Sequence, residues 1–427
     1  MEALLAIIVF VISYIFLLQD KLNRALVALS GAALLVLFGL FELEEALTTY
    51  VDWGTIILLF SMMVIITITQ RTGLFEYIAL MLMKRVNGKP IPLFIWAGIL
   101  TAVGSAFLDN VTTVLLFVPI LLHMIKRLNL PAFPFLVMVI ITSNVGGTAT
   151  MIGDPPNIMI GQAVEHLTFT SFIINLGPIV LIIFALTMLF LLLIFYKPLQ
   201  LAGMEDQREI LLHINPNEVL KKTPLFYQSI TVLVATIIGF TLHGFLHIEL
   251  TMVATVAALV LLLLSEKEVD CDQIFSKIEW TTLFFFVGLF VLVGGLEQVG
   301  IIDWIAVQFI ELTEGNVMTS SFVILWSAGL LSGFVDNIPY VASMIPVLFE
   351  LEEYGMVTTD SMWWALALGA CLGGNGSLLG ASANVVVAGI ASTQGVKINF
   401  VKFMGIGLLV VVGSLILATI YLQLRYF

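Results

Sequence analysis

Gly146-Gly147-Thr148-Ala149-Thr150-Met151-Ile152-Gly153-Asp154-Pro155-Pro156-Asn157 interrupts a long apolar run, roughly residues 131–161. Two adjacent prolines remove two backbone donors and clash with the preceding turn. Three glycines loosen the helix further. Asp154 places a charge where a charge is costly. Backbone broken in this way is tolerated at membrane depth only where it faces protein or a water-filled cavity. The stretch therefore reads as half of a binding site.

The surrounding chain is membrane-like. Of 427 residues, 60% are hydrophobic and 11% charged, and the mean hydropathy is +1.11. Such values exclude an ordinary soluble domain. Many apolar runs approach the ~18 residues that cross about 30 Å of hydrocarbon. Met1 to Leu18 lacks a basic start and a small-residue cleavage site, so it reads as the first span. The net charge of −12 is spread over loops and names no partner, nucleic acid included. Cys271 and Cys371 suggest neither a disulfide framework nor a metal site. The fold class expected is an all-α polytopic membrane protein, with about ten spans and two short apolar pairs, 90–124 and 319–349. Trp326, Trp363 and Trp364 read as members of an interfacial aromatic belt.

The short pairs meet at Asp109-Asn110 and Asp336-Asn337. If each pair is a re-entrant hairpin, ten full spans remain. Lys21, Arg24, Arg71, Lys84, Arg85, Lys89, Lys126, Arg127, Lys197, Arg208, Lys221, Lys222, Lys267, Lys277, Lys397 and Lys402 then share one side, 16 of 17 basic residues, with Arg425 opposite. The positive-inside rule makes that side cytoplasmic and puts both termini outside, in a multi-pass cell-membrane protein. Leu74 to Arg85 is amphipathic and reads as a surface connector.

The two halves align without a gap, every matched pair having the same separation along the chain. Trp53 falls on Trp280, Gly73 on Gly300, Asp109-Asn110 on Asp336-Asn337, Pro119 on Pro346, Gly146-Gly147 on Gly373-Gly374, Gly153 on Gly380 and Asn157 on Asn384. Each half holds five full spans, an odd number, so the repeats are inverted. Residues 1–196 form the first repeat, with hairpin 90–124 and broken helix 132–161. Residues 197–226 form a connection on the basic side. Residues 227–427 form the second repeat, with hairpin 319–349 and broken helix 361–392. Inverted repeats with matched broken helices mark secondary transporters, with the site at the repeat interface.

Asp109, Asp154 and Asp336 are the acidic residues this topology places inside the bilayer, and no Lys or Arg is close to them in sequence. An unpaired buried carboxylate must take a proton or a bound cation. That is the requirement for proton or sodium coupling, and it makes these three the candidate sodium ligands. No other cofactor is expected. Asn110, Thr112, Thr113, Asn144, Thr148, Thr150, Asn157, Asn337, Asn375, Ser377, Ser382 and Asn384 add neutral polar groups at the tips and breaks. Asp109 and Asp336 can also cap the helices that follow them. Cys371, just before the second break, reads as a small packing residue or as a contact for a soft solute such as arsenite. Paired aspartates also admit an intramembrane aspartyl protease, but the Gly-x-Gly-Asp expected of one is absent, with Met151 in its first position. A channel on the same fold is a further alternative.

Ser105 to Thr113, the stretch ending Gly153-Asp154-Pro155-Pro156-Asn157, Val335 to Pro339, Gly373 to Gly376 and Gly380 to Asn384 resemble the ArsB and P-protein permeases. These belong to the ion transporter superfamily, with the citrate-transporter-like carriers, the divalent-anion/sodium symporters and the NhaD-type antiporters. The resemblance covers nearly the whole chain. It implies a scaffold domain that often dimerises and a transport domain of hairpins and broken helices that moves as an elevator. It implies a secondary transporter rather than an enzyme, moving a small inorganic ion or anion such as arsenite with protons or sodium. The alternatives are a sodium/proton antiporter and a sodium-coupled dicarboxylate carrier. The dicarboxylate symporters carry Ser-Asn-Thr at their tips. Here Asp109-Asn110-Val111 and Asp336-Asn337-Ile338 stand there, which disfavours a multiply charged anion.

Overall fold

A computed structural model of the chain describes residues 2–19, 22–202, 216–356 and 359–427. Lys21, Arg208 and the middle of the inter-repeat connection, 203–215, lie outside the described residues. Helices account for the regular structure, and no strand occurs among the described residues. Short turns at 43–50, 216–218 and 271–275 aside, they are in order α1 (Glu2–Gln19), α2 (Arg24–Leu37), α3 (Trp53–Gln70), α4 (Leu74–Arg85), α5 (Pro90–Leu108), α6 (Asn110–Arg127), α7 (Ala132–Gly147), α8 (Pro155–Ala163) and α9 (Phe169–Ala202). Then come α10 (Pro224–Leu246), α11 (Leu250–Ser265), α12 (Trp280–Gln298), α13 (Ile301–Thr313), α14 (Val317–Ser332), α15 (Asn337–Glu353), α16 (Asp360–Gly373), α17 (Ser382–Thr393) and α18 (Phe400–Tyr426).

The repeat written in the sequence fixes where helices begin. Trp53 and Trp280, Leu74 and Ile301, Pro90 and Val317, Asn110 and Asn337, and Pro155 and Ser382 open matching helices at the constant separation of the repeat. The bends into α4 and α13 use Gly73 (φ 76°) and Gly300 (φ 73°), a left-handed conformation that glycine adopts without steric cost. Asp52 caps α3 by accepting from the Thr55 amide at 3.1 Å. Asn23 caps α2, accepting from the Ala25 amide at 3.0 Å.

Eight described helices are individually long and apolar enough to cross a membrane. Both arms of the first hairpin are among them, whereas α2, α7, α11 and α17 fall short. Length alone therefore does not separate a hairpin arm from a crossing, and the breaks cut two crossings into pieces. With α7–α8 and α16–α17 as broken spans, the crossings are α1, α2, α3, α7–α8, α9, α10, α11, α12, α16–α17 and α18. The helices pack in two groups. One contains α1–α3 and α10–α12, with α2 against α12 and α3 against α11. The other contains α5–α9 and α14–α18, with α5 against α7 and α14 against α16. The second half of each broken helix docks on the opposite repeat, α8 on α15 and α17 on α6.

One expectation fails. Trp363 and Trp364 are buried, not interfacial. The Trp364 ring meets Phe172 edge-on at 5.0 Å. Helix α16 is buried on every side, so its aromatics fill the core. Trp326 is half-buried and donates from Nε1 to Thr419 Oγ1 at 3.0 Å.

Glycine at position 146 is a packing requirement. A Cβ there would run into the Ala102 backbone of α5. Gly146→Ala is expected to destabilise by about 1–3 kcal/mol, the usual cost of overpacking. Thermal unfolding in detergent checks this, with Gly389→Ala as the control because its Cβ would meet open space.

Candidate functional site

Four irregular elements converge at the centre of the second group: two hairpin tips and two helix breaks. The first tip is Asp109, whose φ of 66° turns the chain sharply. Its carboxylate caps α6, accepting from the Thr112 amide at 2.8 Å and from Thr112 Oγ1 at 2.6 Å. Thr112 is thus a partner of the acid. Asn110 and Thr113 follow on α6 and are buried. Asn110 Nδ2 donates to Asn144 Oδ1 at 3.4 Å. Asn110 Oδ1 and Thr113 Oγ1 have no hydrogen-bond partner.

Asn144, on the last turn of α7, joins the repeats. Its Nδ2 donates to Asn375 Oδ1 and to Asn384 Oδ1, both at 3.0 Å. Asn157 and Asn384 hold the breaks closed. Asn157 Nδ2 donates to the Thr150 carbonyl at 2.9 Å and the Thr148 carbonyl at 3.3 Å. Asn384 Nδ2 donates to the Gly374 carbonyl at 2.7 Å and the Ser377 carbonyl at 2.8 Å. These matched asparagines satisfy carbonyls that the broken helices leave open. Their Oδ1 atoms are turned elsewhere, that of Asn157 to the Cys371 thiol at 3.4 Å and that of Asn384 to Asn144.

Three sequence candidates bond backbone groups. The Thr148 hydroxyl donates to the Asn144 carbonyl of its own turn at 2.8 Å. The Thr150 hydroxyl donates to the Ala106 carbonyl of the first hairpin. Ser377 Oγ accepts from the Leu379 amide at 3.1 Å. Asn375 is buried, and its Nδ2 is left without a partner.

Asp154 and Asn337 meet across the repeats. Asn337 Nδ2 lies 3.3 Å from both carboxylate oxygens of Asp154. Asp154 is 1% exposed, and its side chain does not cap α8. Neutral hydrogen bonding is all the described residues give it, so among them its charge is uncompensated.

Asp336 differs from the sequence expectation. It is not an unpaired carboxylate. Arg24 Nη1 donates to Asp336 Oδ2 at 2.5 Å. Ser382 Oγ donates to the same oxygen at 2.8 Å and receives from Arg24 Nη1 at 3.1 Å. Asp336 Oδ1 accepts from the Ile338 amide at 3.1 Å. Beside this contact, the Tyr14 hydroxyl donates to the Pro339 carbonyl at 3.0 Å. Arg24 sits 312 residues from Asp336 in sequence and belongs to the other helix group. One sequence signal could have found it. Helix α2 has 14 residues. With a rise of about 1.5 Å per residue, its helical part is shorter than the hydrocarbon is thick, so flanking residues complete the crossing. An arginine on its first turn is therefore drawn below the interface. Cys371, fully buried against Asn157, is the other residue whose place in the cluster the sequence left undecided.

The arrangement has a chemical bias. The leftover groups on the first tip, Asn110 Oδ1 and Thr113 Oγ1, can accept, which suits a cation. The leftover group at the second break, Asn375 Nδ2, can only donate, which suits an anion or a carbonyl. Counting Asp109, Asp154 and Asp336 against Arg24 leaves two formal negative charges. Among the described residues no group of three or more His, Cys, Asp or Glu side chains could hold a metal ion by itself.

Inverted repeats, re-entrant tips and broken helices around a buried polar centre define the chain as a membrane transporter. It belongs to the citrate transporter family, whose sequence profile matches residues 14–369. An uncharacterized transporter of Mycobacterium tuberculosis is 40% identical over 433 residues, covering 100% of this chain and 99% of the relative. The human P protein is 31% identical over 493 residues, covering 97% of this chain and 59% of the P protein. The crystal structure of the Alcanivorax borkumensis YdaH transporter has the same overall fold, with a TM-score of 0.55 at 12% identity, covering 96% of this chain and 98% of that one.

Proposed function

We propose that the protein is a secondary active transporter for a small inorganic ion or anion of the arsenite type, coupled to protons or sodium through Asp109 and Asp154. The observation that carries this reading is the pairing of two uncompensated buried carboxylates with leftover acceptors on one side and a leftover donor on the other. A carboxylate at bilayer depth must be neutralised before it moves through hydrocarbon. A proton or sodium ion at Asp109 or Asp154 does this, with Asn110 Oδ1 and Thr113 Oγ1 available to a cation. Asn375 Nδ2 then offers one hydrogen bond to the cargo.

In this reading α5–α8 and α14–α17 slide as an elevator against α1–α3 and α10–α12. Arg24 and Asp336 form a contact that must break for the movement. The basic side faces the cytoplasm. A tribasic anion such as citrate would bring its charges to a centre already carrying two, so it needs at least that many cations with it. Sodium/proton antiport is the second reading, and the same excess of negative charge favours it.

A flux screen tests the proposal. Purified protein in liposomes is offered arsenite, chloride, dicarboxylates and sodium under imposed proton and sodium gradients. Uptake of one solute against its own gradient, driven by one of those cations, is the expected result. Equilibration of solutes with no dependence on either gradient would mean a channel and sink the reading.

A further inference from the structure

The basic side of the first helix group contains a second polar cavity, of about 460 Å³, far from the hairpin tips in sequence. It is lined by Arg71, Thr72, Lys221, Thr223, Glu268 and Lys277, among others. Three cations face one carboxylate. That carboxylate is already engaged, since Glu268 Oε1 accepts from the Leu225 amide at 3.2 Å. Arg71 is held in place rather than loose. Its Nη1 donates to Gln273 Oε1 at 2.9 Å and its Nη2 to the Gln273 carbonyl at 3.3 Å. Its Nε is buried and has no partner.

The depth of the cavity is marked independently. Trp280, three residues after Lys277, is 44% exposed, with its indole N–H donating to the Phe275 carbonyl at 2.9 Å and its ring 5.8 Å from Phe60. An exposed indole anchored at a helix start is the mark of a membrane–water interface. The cavity wall at Lys277 lies three residues before that indole in the chain. It also touches the joint between α3 and α4, because the Lys221 amide donates to the Thr72 carbonyl at 2.9 Å.

We propose that this cavity binds a net-anionic phosphate group, from an acidic phospholipid headgroup or from soluble phosphate. Arg71 and the two lysines supply the charge, and Thr72 and Thr223 border the same space. A fixed guanidinium flanked by ammonium groups matches a tetrahedral oxyanion with several acceptors. Basic pockets between membrane helices hold lipid headgroups by this chemistry. The bound group would tie the inter-repeat connection to the α3–α4 joint.

The full-length protein in neutral detergent is titrated with phosphatidylglycerol, phosphatidylcholine and inorganic phosphate, following thermal unfolding and, for the lipids, retention in native mass spectrometry. Phosphatidylglycerol is expected to stabilise and be retained, and phosphatidylcholine to do neither. Stabilisation by inorganic phosphate as well identifies a soluble source, and its failure identifies lipid. The Lys221→Gln/Lys277→Gln variant changes two exposed side chains and should need about 25-fold more ligand, at roughly fivefold per lysine. Glu268→Gln keeps an acceptor for Leu225 and should bind more tightly. Equal effects of both lipids with none from phosphate, or an unchanged response in both variants, would overturn the proposal.

Discussion

Arg24→Gln is expected to lower the unfolding free energy by about 3 kcal/mol, the low end for breaking a buried ion pair. The low end applies because the two side chains are 18% and 9% exposed. Glutamine leaves the Asp336 carboxylate with the Ser382 hydroxyl and the Ile338 amide but no positive charge. The structure loses a counter-ion, not a packing surface. Replacing both partners, Arg24→Gln with Asp336→Asn, should therefore recover most of the loss, since two neutral amides can bond where two charges did. A double-mutant cycle read by thermal unfolding checks this. Additive losses in the double variant would show that Arg24 acts through its aliphatic stem alone. The single variant should also change transport. With Arg24 gone, Asp336 needs a proton or sodium ion of its own, so flux should depend more steeply on the coupling cation.

The second large effect concerns the carboxylates that remain uncompensated. Asp109→Asn and Asp154→Asn are each expected to reduce cation-coupled flux in liposomes by about 100-fold, the equivalent of two lost charge-assisted contacts at about 1.4 kcal/mol each. Folding should survive. An amide at 109 still accepts from the Thr112 amide through its oxygen, and one at 154 can still accept from Asn337. Undiminished coupled transport by both variants would remove the carboxylates from the mechanism. Loss of coupling with retained downhill leakage would show that they carry the cation and not the cargo.

Much of this architecture is legible in the sequence because the repeat is nearly literal. Gly73 and Gly300, Asp109 and Asp336, and Asn157 and Asn384 hold the same structural posts in both halves. The breaks were readable because prolines and glycines have few alternative uses in an apolar run. Partners were not readable, because they depend on contacts between distant segments. Nothing adjacent to Asp336 announces Arg24, and nothing adjacent to Asp154 announces Asn337. Cys371 follows the same logic: it occupies the position that Asn144 holds in the first repeat, yet contributes a weak thiol donor to the Asn157 amide. The tryptophans were misplaced because an indole serves a core as well as an interface. Only burial of all faces of α16 distinguishes the two.

The crossed docking of α8 on α15 and α17 on α6 also bears on how the protein is made. Translation delivers residues 155–163 long before 337–353, so the nine-residue α8 enters the bilayer with its mate unsynthesised. Through that interval Asp154 has no Asn337, and Asn144 has neither Asn375 nor Asn384. The first-born half is then a membrane intermediate with an unsheltered acid and a loose helical fragment, the kind of species on which chaperones and proteases act. Completion comes only when the second half arrives and the two exchange helices. The clasp that builds the site thus makes assembly a mutual event, in which neither half matures ahead of the other.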